Sequence, residues 1–149
     1  MKILLAIDDS DYSEAATRAV ASQLPTQGAE VLVLRVVEPL VYSTVPQMAA
    51  GYAPEMATRL QEELKQARES VTKAAQVLRD AGFKVDTRVV ESEVRAGILD
   101  SAFDWQADLI VVGSHGRKGL QKFLLGSVAE SIARHARCSV LIVRIPSSR

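Results

Sequence analysis

Five short runs rich in Val, Ile and Leu recur along the chain: KILLAI at 2–7, EVLVLRVV at 30–37, KVDTRVV at 84–90, DLIVVG at 108–113 and SVLIVRI at 139–145. Each has the length of a strand. The first, second, fourth and fifth are apolar at successive positions, as strands are when both faces of their sheet are covered. The third alternates Val85, Thr87 and Val89 with Asp86 and Arg88, which predicts one wetter face.

Helical patterns fill the intervals. Residues 11–24 open with Asp11 and Glu14 at the spacing of a capping box. Residues 55–81 carry Met56, Leu60, Leu64, Ala67, Val71, Ala74 and Leu78 at helical spacing, with Glu55/Arg59 and Glu69/Lys73 placed to pair on the polar side. Gly82 is the expected stop, a glycine just past a helix end. Residues 94–106 put Ile98, Ala102 and Trp105 on one stripe, so Trp105 reads as core. Residues 127–137 begin with Ser127 and Glu130, a second capping-box spacing. Strand and helix therefore alternate from end to end. The expectation is an α/β fold, a doubly wound five-stranded parallel sheet with helices on both faces, forming one domain over 1–149. Residues 38–54 fit no element, and three prolines and Gly51 leave two readings open, a flap over a site or a variable surface loop.

Composition narrows the function. Lys+Arg and Asp+Glu both number 18, giving a formal net charge of zero, so no global field favours nucleic acid or an acidic membrane. No run is long and apolar enough to span a membrane. The opening MKILLAIDDSD lacks the pattern of a secretory signal. Cys138 is the single cysteine, which excludes an intrachain disulfide and reads as a small packed residue. These features predict a cytoplasmic protein.

In an open α/β sheet, ligands sit beyond the carboxyl ends of the strands. The fourth run ends in VVGSHGRKGLQKFLLGSVAES, residues 111–131. Gly113 and Gly116 suit a tight turn and the close approach of an anion. Gly126 and Ser127 open a helix, whose first N–H groups and dipole attract phosphate. Arg117, Lys118 and Lys122 add local positive charge. Each feature has a plainer alternative: turn glycines, Ser127 as a helix cap, and solvated basic side chains. The first run ends in Asp8, Asp9 and Ser10, with Asp11 next. Asp8 is placed to accept from a ribose hydroxyl or an adenine amine, to cap the following helix, or to hold a divalent cation. No nucleophile with a partner base is evident. His115 and His135 belong to no metal-ligand cluster, so neither catalytic nor metal residues are assigned.

The spacing Gly113-x2-Gly116-x9-Gly126-Ser127 resembles the nucleotide-binding signature of the ATP-binding subclass of the universal stress protein family. The flanks DLIVVGSHGRKGL and LLGSVAESIARHARCSVLIVR, the start KILLAIDDS and the segment LRVVEP resemble that family too, over essentially the whole chain. The resemblance implies an adenine nucleotide alpha-hydrolase-like fold with strand order 3-2-1-4-5. It implies that Asp8 contacts adenosine and that the backbone at Val36 reads the adenine edge. Gly113, Gly116, Gly126 and Ser127 would cradle ribose and phosphates, and Val112, His115, Val128 and Ala129 would line the same pocket. It further implies ATP or a related adenine nucleotide with Mg²⁺ or Mn²⁺, at most slow hydrolysis, and a stress-response or regulatory role. A homodimer through the last strand is also implied, and apolar Val140, Leu141, Ile142 and Val143 fit such an edge. The alternative is a homodimeric interaction module of the same fold that works without nucleotide. Gly119, inside the nine-residue spacer, is additional flexibility.

Overall fold

The computed structural model describes residues 1–39, 46–116 and 125–145, and only the backbone at 46–53. All five apolar runs are strands: β1 (Lys2–Ile7), β2 (Glu30–Val37), β3 (Lys84–Glu91), β4 (Leu109–Gly113) and β5 (Ser139–Val143). Four helices alternate with them: α1 (Asp11–Gln23), α2 (Pro46–Asp80), α3 (Val94–Asp104) and α4 (Ser127–His135). The sheet is parallel, in the order β3-β2-β1-β4-β5.

The double-sided apolar strands build two cores from alternate residues. Ile3 and Leu5 of β1 and Val31 and Val33 of β2 pack with Ala16 and Val20 of α1 and Val71, Ala75 and Leu78 of α2. The intervening Leu4, Ala6, Leu32, Leu34 and Val36 pack with Ile98 and Ala102 of α3 and Ile132 of α4. A one-residue slip in register would exchange the two sets, so both faces fix it. At the edge, β3 exposes Lys84, Asp86, Thr87, Arg88 and Glu91 and buries Val85. Those charges protect the open side of the strand.

The helix ends differ in part from the sequence expectation. Ser10, not Asp11, is the N-cap of α1, and its side chain accepts from the Ser13 N–H. Asp11 therefore sits inside the first turn, where its charge complements the dipole. The irregular segment expected at 38–54 is overturned from Pro46 onward, because α2 begins there. Pro46 takes the first helical position, where its missing N–H costs nothing, and Gln, Met and Ala follow as good helix formers. Pro54 lies inside the helix, and its carbonyl accepts from Thr58 Oγ1 at 3.0 Å. Residues 40–45 of that segment lie outside the described residues. Lys73, expected to pair with Glu69, reaches Glu14 of α1 at 3.9 Å.

Gly82 is the expected stop. At φ +99° it turns the chain so that Phe83 N–H donates to the Leu78 carbonyl at 3.0 Å and Gly82 N–H to that of Arg79 at 2.9 Å. Buried Leu78 and Phe83 are the apolar pair that accompanies this cap. Trp105 closes α3 and is half-buried against the second core. Its carbonyl accepts from Lys2 Nζ at 3.2 Å, and the ammonium lies 5.4 Å from the ring centroid. Cys138 packs partly buried against the same core, and burial pushes its thiol up, favouring the neutral form.

Candidate functional site

Strand order reverses beside β1: the chain passes outward through β2 and β3, then returns to β4 on the other side. At such a switch point the loops leave on opposite faces and open a crevice at the carboxyl ends. A cleft of about 440 Å³ lies there. All ten residues expected to form a site line it. Asp8 follows β1, Val36 lies near the end of β2, and Val112 and Gly113 end β4. His115 and Gly116 follow on the turn, and Gly126, Ser127, Val128 and Ala129 form the entrance to α4. Arg117, Lys118, Gly119 and Lys122 lie outside the described residues.

Asp8 is held by its neighbours. Its Oδ1 accepts from Ser10 N–H at 3.0 Å, from Ser13 Oγ at 2.8 Å and from the Ser10 hydroxyl. Its own N–H donates to Ser13 Oγ at 2.8 Å. The carboxylate therefore orders the turn into α1 while Ser10 does the capping. Of the roles weighed for this acidic stretch, capping falls to Ser10.

The three signature glycines each have an intramolecular reason. A Cβ on Gly113 would lie 2.7 Å from Tyr12 Cβ and 3.0 Å from the Tyr12 carbonyl carbon and oxygen, so α1 presses directly on the end of β4. A Cβ on Gly126 would meet the Ser114 carbonyl oxygen at 2.9 Å and His115 Cα at 3.1 Å, where Gly126 N–H donates to that carbonyl at 2.8 Å. A Cβ on Gly116 would instead meet Asp8 Oδ2 at 2.8 Å. Two of the glycines thus admit neighbouring backbone, and the third admits the carboxylate that lines the cleft.

The capping box expected at Ser127 and Glu130 does not form. Gly126 is the N-cap, with no side-chain cap, and Ser127 is the first helical residue. Glu130 N–H bonds to the Gly126 carbonyl at 2.9 Å, and its carboxylate turns outward to Arg134 at 2.8 Å. Among the described residues, no side chain caps the backbone donors that the α4 entrance presents to the cleft, a favourable place for an anion.

The His115 ring lies tilted against Tyr12 with centroids 5.0 Å apart, and its Nδ1 is 3.1 Å from Ser114 Oγ. Its Nε2 is buried without a hydrogen-bond partner. Ser114 is only 1% exposed and does not line the cleft, so this adjacent pair offers no accessible nucleophile. His135 ends α4, and its Nδ1 donates to the Ser131 carbonyl at 2.8 Å. Among the described residues, no group of three His, Cys, Asp or Glu side chains is placed to hold a metal. No described helix is long and apolar enough to cross a membrane.

Sequence reasoning missed several lining residues: Ser13, Arg35, Glu38, Glu93 and Arg95. Glu93 caps α3, accepting from Ala96 N–H at 2.8 Å, and Arg95 Nη1 lies 3.5 Å from its carboxylate. The Ala96 N–H holds the Glu93 carboxyl below its ordinary value of 4.5. A depressed folded value means stabilisation that is complete above 4.5 and lost as pH falls through the folded value. Glu93→Gln should therefore melt slightly below wild type at neutral pH, and the gap should close on acidification. Thermal melts across pH check this.

Comparison with known proteins fits this geometry. A universal stress protein of Methanocaldococcus jannaschii, MJ0531, is 34% identical over 145 residues, covering 97% of this chain and 82% of the relative. The solved structure of MJ0577, from the same organism, superposes with a TM-score of 0.82 at 27% identity, covering 99% of this chain and 97% of that one. A universal stress protein solved in complex with cAMP superposes with a TM-score of 0.63 at 25% identity, covering 97% and 96%. The model of the universal stress protein family matches residues 1–144, and this chain belongs to that family.

Proposed function

We propose that the protein binds an adenine nucleotide in the cleft between β1 and β4, ATP with Mg²⁺ or Mn²⁺, and acts as a nucleotide-dependent regulatory module in stress response. The observation that carries this reading is the uncapped entrance of α4, facing the same cleft as Asp8 and Val36. Phosphates suit the N–H groups of Ser127, Val128 and Ala129, with the Ser127 hydroxyl beside them. Asp8 suits the ribose or the adenine amine, and Val36 the adenine edge. The relative solved with cAMP shows a related chain holding an adenine nucleotide. Because the described residues offer no cation cage of their own, the metal would be held largely through phosphate oxygens and water, as Mg²⁺ ordinarily is. Hydrolysis there would be slow at most: Ser114 is buried, and the Ser10 and Ser13 hydroxyls are tied to Asp8 in the turn into α1. An edge position for β5, with Val140 to Val143 half-buried, supports a homodimer through that strand.

One observation favours the nucleotide-independent alternative. Gly113 and Gly126 are required by packing alone, so a chain that had lost ligand binding would still keep them. Calorimetric titration with ATP and Mg²⁺, together with mass spectrometry of small molecules released from denatured protein, separates the two. Saturable binding below millimolar ATP is expected. No heat at millimolar ATP and no released nucleotide would overturn the proposal.

A further inference from the structure

A glycine outside the spaced signature lies in α3. Gly97 is the fourth residue of this 11-residue helix, an interior position where glycine is among the poorest helix formers. Its N–H donates to the Glu93 carbonyl at 2.8 Å, so its backbone is helical all the same. Space accounts for it. A Cβ there would lie 2.9 Å from Val36 Cγ1, 3.0 Å from Val36 Cγ2 and 3.1 Å from Ser92 Cβ. Valine has two methyls for three staggered positions, so every rotamer of Val36 keeps at least one of them against the new carbon. Only parting α3 from β2 relieves the contact. Gly97 is buried and does not line the cleft. Val36 across from it does, and so do Val94 and Ile98 of α3. All three pack in the second core with Leu34 and Val112, which also line the cleft, so this wall is built of packed apolar side chains.

We propose that Gly97 is a positioning residue that sets the base preference of the cleft: by letting α3 close onto Val36, it fixes the apolar wall at the spacing that grips a flat purine and leaves a single-ring pyrimidine loosely held. This rests on reading the cleft as a nucleotide site with the base against Val36. Such a wall acts through the apolar area it covers, and moving it by a fraction of an ångström forfeits part of that contact. The backbone donors suited to phosphate belong to the entrance of α4, whereas the atoms nearest a Cβ on Gly97 belong to Val36 and Ser92. The effect of Gly97 is therefore on the base and not on the phosphates.

The test titrates wild type, Gly97→Ala, Val36→Ala and the double variant Gly97→Ala/Val36→Ala with ATP–Mg²⁺ and with UTP–Mg²⁺, which carries the same ribose and phosphates on a smaller base. Alanine favours the helix itself, and thermal melts verify that each variant is folded at the titration temperature. Wild type should prefer ATP. In Gly97→Ala, ATP affinity should fall roughly tenfold, the scale set by one methylene in an apolar pocket, while UTP affinity changes by less than about twofold. No charge is altered, so added salt should not restore the preference. In the Val36→Ala background both methyls are gone and the contact with Ser92 remains, so the same change at Gly97 should cost less than about threefold. Equal losses for ATP and UTP would overturn the proposal in favour of a packing role, and so would a Gly97→Ala protein that is unfolded. Unchanged ATP affinity, an equal loss in both backgrounds, or a wild type without preference for ATP over UTP would overturn it too. Wild type that binds neither nucleotide would overturn the nucleotide reading itself, and this proposal with it.

Discussion

Gly113→Ala should destabilise the protein by about 3 kcal/mol, at the upper end of what overpacking a closed site costs. The new Cβ would lie 2.7 Å from Tyr12 Cβ and 3.0 Å from its carbonyl carbon and oxygen. Two of those three atoms are backbone, fixed within the first turn of α1, so no rotamer change relieves the contact. The helix must move off β4, disturbing Ala16 and Val20, which are fully buried against β1 and β2. For a chain of this size the melting temperature should fall by roughly 6–12 °C. Denaturant unfolding at equilibrium checks the free energy directly. A change below about 0.5 kcal/mol, the range of ordinary surface substitutions, would show that α1 is not seated on β4 as described.

Gly116→Ala should behave in the opposite way. The residue is exposed, and its backbone is not in the left-handed region, so alanine is acceptable to the fold. Its Cβ would instead meet Asp8 Oδ2 at 2.8 Å. The carboxylate can rotate away only by disturbing the bonds that Ser10 and Ser13 make to Oδ1. If Asp8 receives a donor from the nucleotide, losing that charged hydrogen bond costs about 2 kcal/mol, roughly a thirtyfold weaker affinity. The unfolding midpoint should barely move. Affinity unchanged from wild type would remove Asp8 from the ligand contacts. The two variants together test whether Gly116 serves ligand binding while Gly113 serves packing, a distinction invisible in their shared spacing.

The sheet was legible because its signal is redundant. Strands such as EVLVLRVV carry apolar side chains on both faces, and two helical layers with matching stripes leave few other arrangements. Helix starts were less legible, because Ser10 and Asp11, or Gly126 and Ser127, are adjacent residues that can each begin a helix. Only the backbone conformation at Ser10 and Gly126 decides between them. Pro54 misled for another reason: proline marks a boundary on average, and here helix-forming residues continue on its N-terminal side. Arg35 stands inside the otherwise apolar run EVLVLRVV, and the sequence alone gives it no partner. The surplus of carboxylates after β1 was the available clue, but pairing Asp9 with a residue 26 positions away requires the parallel register of β1 and β2.

The position of Trp105 has a practical consequence. It is the chain's one tryptophan, and it sits by Lys2 at the start of β1, while the cleft opens at the other end of that strand. A strand of this length separates them by roughly 17 Å. Indole emission should therefore follow loss of packing around the second core without being quenched by a ligand in the cleft. A fluorescence melt in the presence of ATP then reads the upward shift that preferential binding to the folded state produces, free of an optical signal from occupancy itself.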